Sequence, residues 1–152
     1  MAEAQSPMVT GHCYCGAISF ESHKQPQTVA YCHCEDCKRA SGAPVAAIAA
    51  FAADAIAFSP NAGTGFSPSE GVTRHFCGKC GSPLMSRFDY LPDQAYVPLG
   101  ILDDASRLAP KVHAYESQRY PWLHIEDSAE RFPQSSRAAL RTSAAQSTEA
   151  HQ

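Results

Sequence analysis

Residues 76–84 read FCGKCGSPL, and the way the rest of the chain folds follows from them. Cys77 and Cys80 have the two-residue spacing of a zinc knuckle, in which a tight turn brings both sulfurs onto one ion. Gly78 and Gly81 permit the backbone angles of such a turn and leave N–H groups free to bond the thiolates. A knuckle supplies only two ligands. A tetrahedral site needs two more thiolates or imidazoles from elsewhere in the 152 residues, so a distant segment must fold back onto this turn.

The candidates come from the seven cysteines, Cys13, Cys15, Cys32, Cys34, Cys37, Cys77 and Cys80. Their number is odd and they sit in tight clusters. The opening MAEAQSPMVT has neither the basic start nor the apolar stretch of a secretory signal. Metal ligation in a reducing, cytoplasmic setting is therefore expected over a disulfide framework. One partition joins Cys34 and Cys37 to the knuckle as a rubredoxin-like four-thiolate site and leaves three cysteines unexplained. The other joins Cys13 and Cys15 to the knuckle and sets Cys32, Cys34 and Cys37 apart, which uses every cysteine. It also suits strand geometry, because alternate residues share a face: Cys13 with Cys15 in TGHCYCGAISFES, and Cys32 with Cys34 in YCHCEDC. Cys37 then closes its set from the following turn.

The surrounding sequence predicts a small, mainly β domain. In residues 10–22, Ile18 and Phe20 alternate against Cys13 and Cys15 with a strand's period. Residues 44–58, PVAAIAAFAADAIAF, are rich in alanine, yet Pro44 and Pro60 bracket them and the β-branched and aromatic positions suit short buried strands. FSPNAGTGFSPSEG reads as a loop or hairpin connection, and GVTRHFC, PLMSRFDY and QAYVPLGIL as three further strands. The expected division is a flexible start over 1–8, one domain over 9–133, and a disordered or partly helical tail over 134–152, with a short helix around 138–141. A net charge of −3 with scattered Lys and Arg gives no footprint for nucleic acid, and no apolar run reaches the length of a membrane span. Oligomeric state is not legible.

The succession of a C-x-C strand, a C-x-C-x-x-C cluster and a late F-C-x-x-C-G knuckle resembles the glutathione-dependent formaldehyde-activating enzyme-like family. The later PKVHAYESQRYPWLHI is similar to that family's His-then-Trp segment, so the resemblance spans 9–133. It implies a β-tent fold of several small curled antiparallel sheets stapled by zinc. It implies two zinc ions, a structural one on Cys13, Cys15, Cys77 and Cys80 and a second, at the active site, on Cys32, Cys34 and Cys37. The activity implied is that of a carbon–sulfur lyase running as S-(hydroxymethyl)glutathione synthase, with glutathione as co-substrate and formaldehyde or a related small aldehyde as partner.

Physical chemistry agrees with that division. Four thiolates close a zinc site, whereas three leave the open position that catalytic sites reserve for water or substrate. Lys38 and Arg39, directly after Cys37, are candidates for glutathione's carboxylates. One competing reading gives Cys32, Cys34 and Cys37 a fourth protein ligand and so a second structural zinc; others make the chain a zinc-stapled protein-interaction module, or a thiol-ligand sensor without catalysis. Iron suits the same donors and would colour the protein. His33, if residues 32–34 are extended, points away from its neighbours' sulfurs, and it and His75 are read as supporting or surface residues. His113 and His124 are read as packing residues and Trp122 as core or pocket wall; Glu35 and Asp36 are read as exposed.

Overall fold

The computed structural model describes residues 7–137. Most of the expected flexible start and tail, and the whole of the short helix at 138–141, lie outside the described residues.

The chain begins with a hairpin, β1 (Val9–His12) and β2 (Ser19–Ser22), in which Val9 and Phe20 point inward and polar neighbours outward. Then come β3 (Thr28–Cys32), a seven-residue helix α1 (Glu35–Ser41), β4 (Ala46–Ala52) and β5 (Ile56–Ser59). A run of β6 (Thr64–Ser69), β7 (Val72–Phe76), β8 (Pro83–Phe88) and β9 (Gln94–Pro98) follows, and two short strands end it, β10 (Val112–Ala114) and β11 (Glu130–Arg131). The strands make two sheets, ordered β1-β2-β5 and β11-β10-β3-β4-β9-β8-β7-β6. The fold is thus mainly β with one helix, and neither sheet closes into a barrel. All pairs are antiparallel except that β10 runs parallel to both β3 and β11.

The core lies between the sheets. Phe51 of β4 and Phe20 of β2 meet there with ring centroids 5.3 Å apart, alongside Val29, Val97, Leu99 and Leu102. Gly11 makes close approach possible, since a Cβ at that position would lie 2.3 Å from the carbonyl oxygen of Ile101. The alanine-rich segment is a strand because it is central, paired to β3 on one side and β9 on the other. Helix propensity yields there to a place in the sheet. Its alternation sends Ala47, Ala49 and Phe51 to the core and Ile48 and Ala50 to the opposite face, with Leu91 and Tyr96.

Three local expectations are corrected. Cys13 and Cys15 lie in the turn between β1 and β2 rather than on a strand. Cys37 belongs to helix α1, not to a simple turn, because Cys34 is an extended N-cap residue and Glu35 and Asp36 place acid in the first turn, where the helix dipole favours it. The turn-rich segment contains β6, which pairs with β7 across a bulge between Phe66 and Ser69.

Candidate metal centres and cavity

The Cys13–Cys15 turn and the Cys77–Cys80 knuckle are built alike. Each closes on a glycine with positive φ, Gly16 at 77° and Gly81 at 79°. Each glycine N–H donates to the first cysteine's carbonyl, Gly16 to Cys13 at 3.0 Å and Gly81 to Cys77 at 2.8 Å. Ser82 joins the two arms: its Oγ accepts from the Tyr14 N–H at 2.9 Å and lies 3.2 Å from Cys80 Sγ. That contact and the Ser82 backbone hold the Cys80 thiol down to about 5. All four sulfurs lie within 4.8 Å of one another, with Cys13–Cys15 at 3.6 Å and Cys15–Cys77 at 3.8 Å. Tetrahedral zinc with Zn–S of about 2.3 Å requires sulfur–sulfur edges of about 3.8 Å, so the donor set fits zinc. The group is compact: Cys13 and Cys77 are buried with Ile18 and Leu84 in a small second core.

Cys32, Cys34 and Cys37 form the second group, again within 4.8 Å of one another. Cys32 ends β3, Cys34 caps α1, and its sulfur accepts from the Cys37 N–H at 3.3 Å. Hydrogen bonds from Cys32 and Cys37 hold the Cys34 thiol well below its usual range, and their counterpart pushes Cys32 up. A metal cation held by these three sulfurs would sit at the N-terminus of α1. Among the described residues no fourth His, Cys, Asp or Glu joins these three. The set faces a cavity of about 610 Å³. Its walls are largely apolar, from Ile48, Phe66, Phe88 and Tyr96, with Arg74 and Arg137 the guanidiniums added to that of Arg39.

Of the two sequence candidates for carboxylate contacts, Lys38 donates to the Gln118 carbonyl at 2.9 Å and sits 3.8 Å over the Tyr120 ring. Arg39 lines the cavity but is paired with Glu35 at 3.0 Å. Arg74 and Arg137 escaped the sequence reading. Strand alternation could have placed Arg74 with Val72 on the cavity face, but nothing local marks Arg137. Ser136, within the expected tail, is buried, and Arg137 stacks on Tyr90 at 3.9 Å.

His33 is fully buried, which overturns its surface alternative. It pairs with His113 through Nε2 and Nδ1 at 2.9 Å, and His113 Nε2 donates to Asp127 Oδ2 at 2.8 Å. The ring planes differ by 13° with centroids 5.2 Å apart, so the rings meet head-on and share a proton. A metal held between them would need converging lone pairs, although Glu116 lies near enough to complete such a group. Burial lowers His33 and keeps it neutral; the Asp127 carboxylate fixes His113 as its donor. His33 then donates through Nε2, and its buried Nδ1 has no hydrogen-bond partner. This pair ties the Cys32–Cys34 segment to β10, as does the His33 N–H to Ala114 carbonyl bond at 3.0 Å. His75 packs against Gly65 and stays outside both cysteine groups. His124 is exposed, and Trp122 is 65% exposed, stacked on Tyr120 outside the cavity. Neither is a core residue, because both lie in the exposed connection between β10 and β11. Glu35 and Asp36 are exposed, as expected.

The profile of one family, described as "Glutathione-dependent formaldehyde-activating enzyme", matches residues 8–118, which takes in all seven cysteines and His113 but neither Trp122 nor Arg137. A crystal structure of a Rhodobacter sphaeroides protein is similar in fold, with a TM-score of 0.53 at 21% identity, covering 62% of this chain and 88% of that one. No curated protein matches the chain.

Proposed function

The chain belongs to the glutathione-dependent formaldehyde-activating enzyme family, and from that premise we propose that it condenses glutathione with formaldehyde or a related small aldehyde, a carbon–sulfur lyase reaction in reverse. One observation carries this reading: three cysteine sulfurs, with no fourth protein donor among the described residues, face a cavity large enough for a tripeptide. In the reaction the thiol sulfur bonds to the carbonyl carbon, the C=O π bond breaks, and the thiol proton ends on the new hydroxyl oxygen.

Cys13, Cys15, Cys77 and Cys80 would hold one zinc as a staple, and Cys32, Cys34 and Cys37 a second. Bound by three thiolates, zinc supplies an open coordination position and stabilises sulfur as thiolate at neutral pH. The residues of the chain do the positioning. Helix α1 and the His33–His113 pair hold the three sulfurs on one wall. Holding both reactants in one cavity supplies most of the rate gain. Little acid–base help is required, since formaldehyde is a reactive electrophile. Reduced cysteines arranged as metal ligands suit a cytoplasmic setting, and no helix among the described residues is long and apolar enough to cross a membrane.

The test pairs metal analysis with glutathione titration of the wild-type protein and Cys34→Ser. The proposal expects two zinc ions per chain and saturable glutathione binding that Cys34→Ser abolishes. A single ion per chain with freely reactive Cys32, Cys34 and Cys37 would refute it. Binding to a protein partner with no response to glutathione would favour an interaction module.

A further inference from the structure

The cavity beside Cys32, Cys34 and Cys37 is lined by two guanidiniums that have no carboxylate partner among the described residues. Arg74 donates to Ser86 Oγ at 3.0 Å and lies over Phe88 at 5.8 Å. Arg137 stacks on Tyr90 at 3.9 Å, and its buried Nε makes no hydrogen bond. The third cavity arginine, Arg39, is satisfied by Glu35. The contrast matters because a guanidinium taken out of water without an anion is costly, while its planar fork matches a carboxylate. Both groups are also held in place, Arg74 by Ser86 and Arg137 by the Tyr90 face, so little side-chain entropy is lost when an anion arrives. The one acid on the cavity wall, Asp36, is exposed.

We propose that Arg74 and Arg137 form a carboxylate-binding subsite that makes the cavity selective for acidic thiols, those carrying one or two carboxylates, over neutral thiols. The proposal rests on the reading of the three-cysteine cavity as a thiol site. It assigns selectivity to residues other than Lys38 and Arg39. Arg137 lies beyond the 8–118 family match, so this half of the subsite belongs to the chain's own C-terminal segment.

The test is calorimetric titration of the zinc-replete protein with glutathione, glutathione diethyl ester, mercaptosuccinate and 2-mercaptoethanol, repeated on Arg74→Gln and Arg137→Gln. Zinc content is measured on each to show that it is folded. Charge-assisted hydrogen bonds of this kind are worth about tenfold to a hundredfold in affinity each. The diester should therefore bind at least about tenfold more weakly than glutathione, and each arginine variant should bring the acids down toward the ester's level while leaving the ester unchanged. Binding of mercaptosuccinate but not glutathione would support this subsite while refuting glutathione as the co-substrate. Equal affinity of ester and acid in the wild-type protein would overturn the subsite without touching the glutathione reading. It is also overturned if neither variant alters binding of the acids, if the variants weaken acid and ester equally, or if no carboxylate thiol binds.

Discussion

Replacing Cys77 by Ser removes one sulfur from the group that joins the β1–β2 turn to the β7–β8 turn. Cys77 is 1% exposed, and among the described residues that small core holds, besides Cys13, the buried hydrophobics Ile18 and Leu84. Each is worth about 1.5–3 kcal/mol when buried, too little to hold the two turns together. A structural zinc site contributes about 10–16 kcal/mol in small domains, as much as the whole net stability of a typical fold, about 5–15 kcal/mol. If the three remaining ligands keep half of that, about 5 kcal/mol or more is lost, which lowers the melting temperature by about 10–20 °C for a domain of this size. Cys34→Ser provides the contrast. Serine is a good N-cap, so its Oγ can take the Cys37 N–H that Cys34 Sγ accepts at 3.3 Å, and α1 survives. Circular-dichroism melts with metal analysis should show Cys77→Ser unfolded or melting at least about 10 °C below wild type, and Cys34→Ser within about 5 °C of it with one ion gone. A Cys77→Ser protein that melts within about 3 °C of wild type would refute the staple.

Two further outcomes concern the buried histidines. His113→Leu leaves His33 Nε2 without its 2.9 Å partner; it should cost about 2 kcal/mol, seen as a drop of about 4–8 °C in melting temperature, with metal content unchanged. A lost metal equivalent would instead make His33, His113 and Glu116 a metal site. Asp127→Asn tests the sign of a titration. The His113 hydrogen bond, with smaller help from the Ala129 N–H and the Arg131 charge, lowers the Asp127 carboxyl. Its contribution is therefore complete above the ordinary carboxylate value of about 3.9 and disappears as pH falls through the lower folded value. The melting-temperature gap between wild type and Asp127→Asn should be steady from about pH 5 to 8 and close below about pH 4. A gap that persists at pH 3 would show that the carboxylate's charge contributes nothing.

Spacing along the sequence carried the cysteines and the strands well, because both are local. Cys77-x-x-Cys80 is a turn whichever fold contains it, and VTRHF or QAYVP alternates in any sheet. What spacing misjudged was how each segment is used. Cys13 and Cys15 alternate like strand residues, yet the left-handed Gly16 makes them a turn. The alternation signal cannot tell these apart, because a tight turn also brings alternate side chains to one side. Cys34-Glu-Asp-Cys37 is both a knuckle spacing and a helix N-terminus, and the acids at Glu35 and Asp36 were the neglected sign of the helix. His33, His113 and Asp127 could not be joined from sequence at all, since they are 80 and 14 residues apart along the chain. Only the parallel pairing of β3 with β10 brings them together. Arg137 was hidden by composition: it lies within a stretch poor in apolar residues, and its place on the cavity wall comes with stacking on Tyr90 across the fold.

The central claim is that Cys32, Cys34 and Cys37 form a thiol-binding centre, and it is tested most directly by a crystal structure of the zinc-replete protein soaked with glutathione. The account predicts the glutathione sulfur at the ion held by these three cysteines, about 2.3 Å from it, with the peptide lying in the cavity toward Arg74 and Arg137. A protein side chain in that fourth position, or an ion there that glutathione leaves untouched, would contradict it.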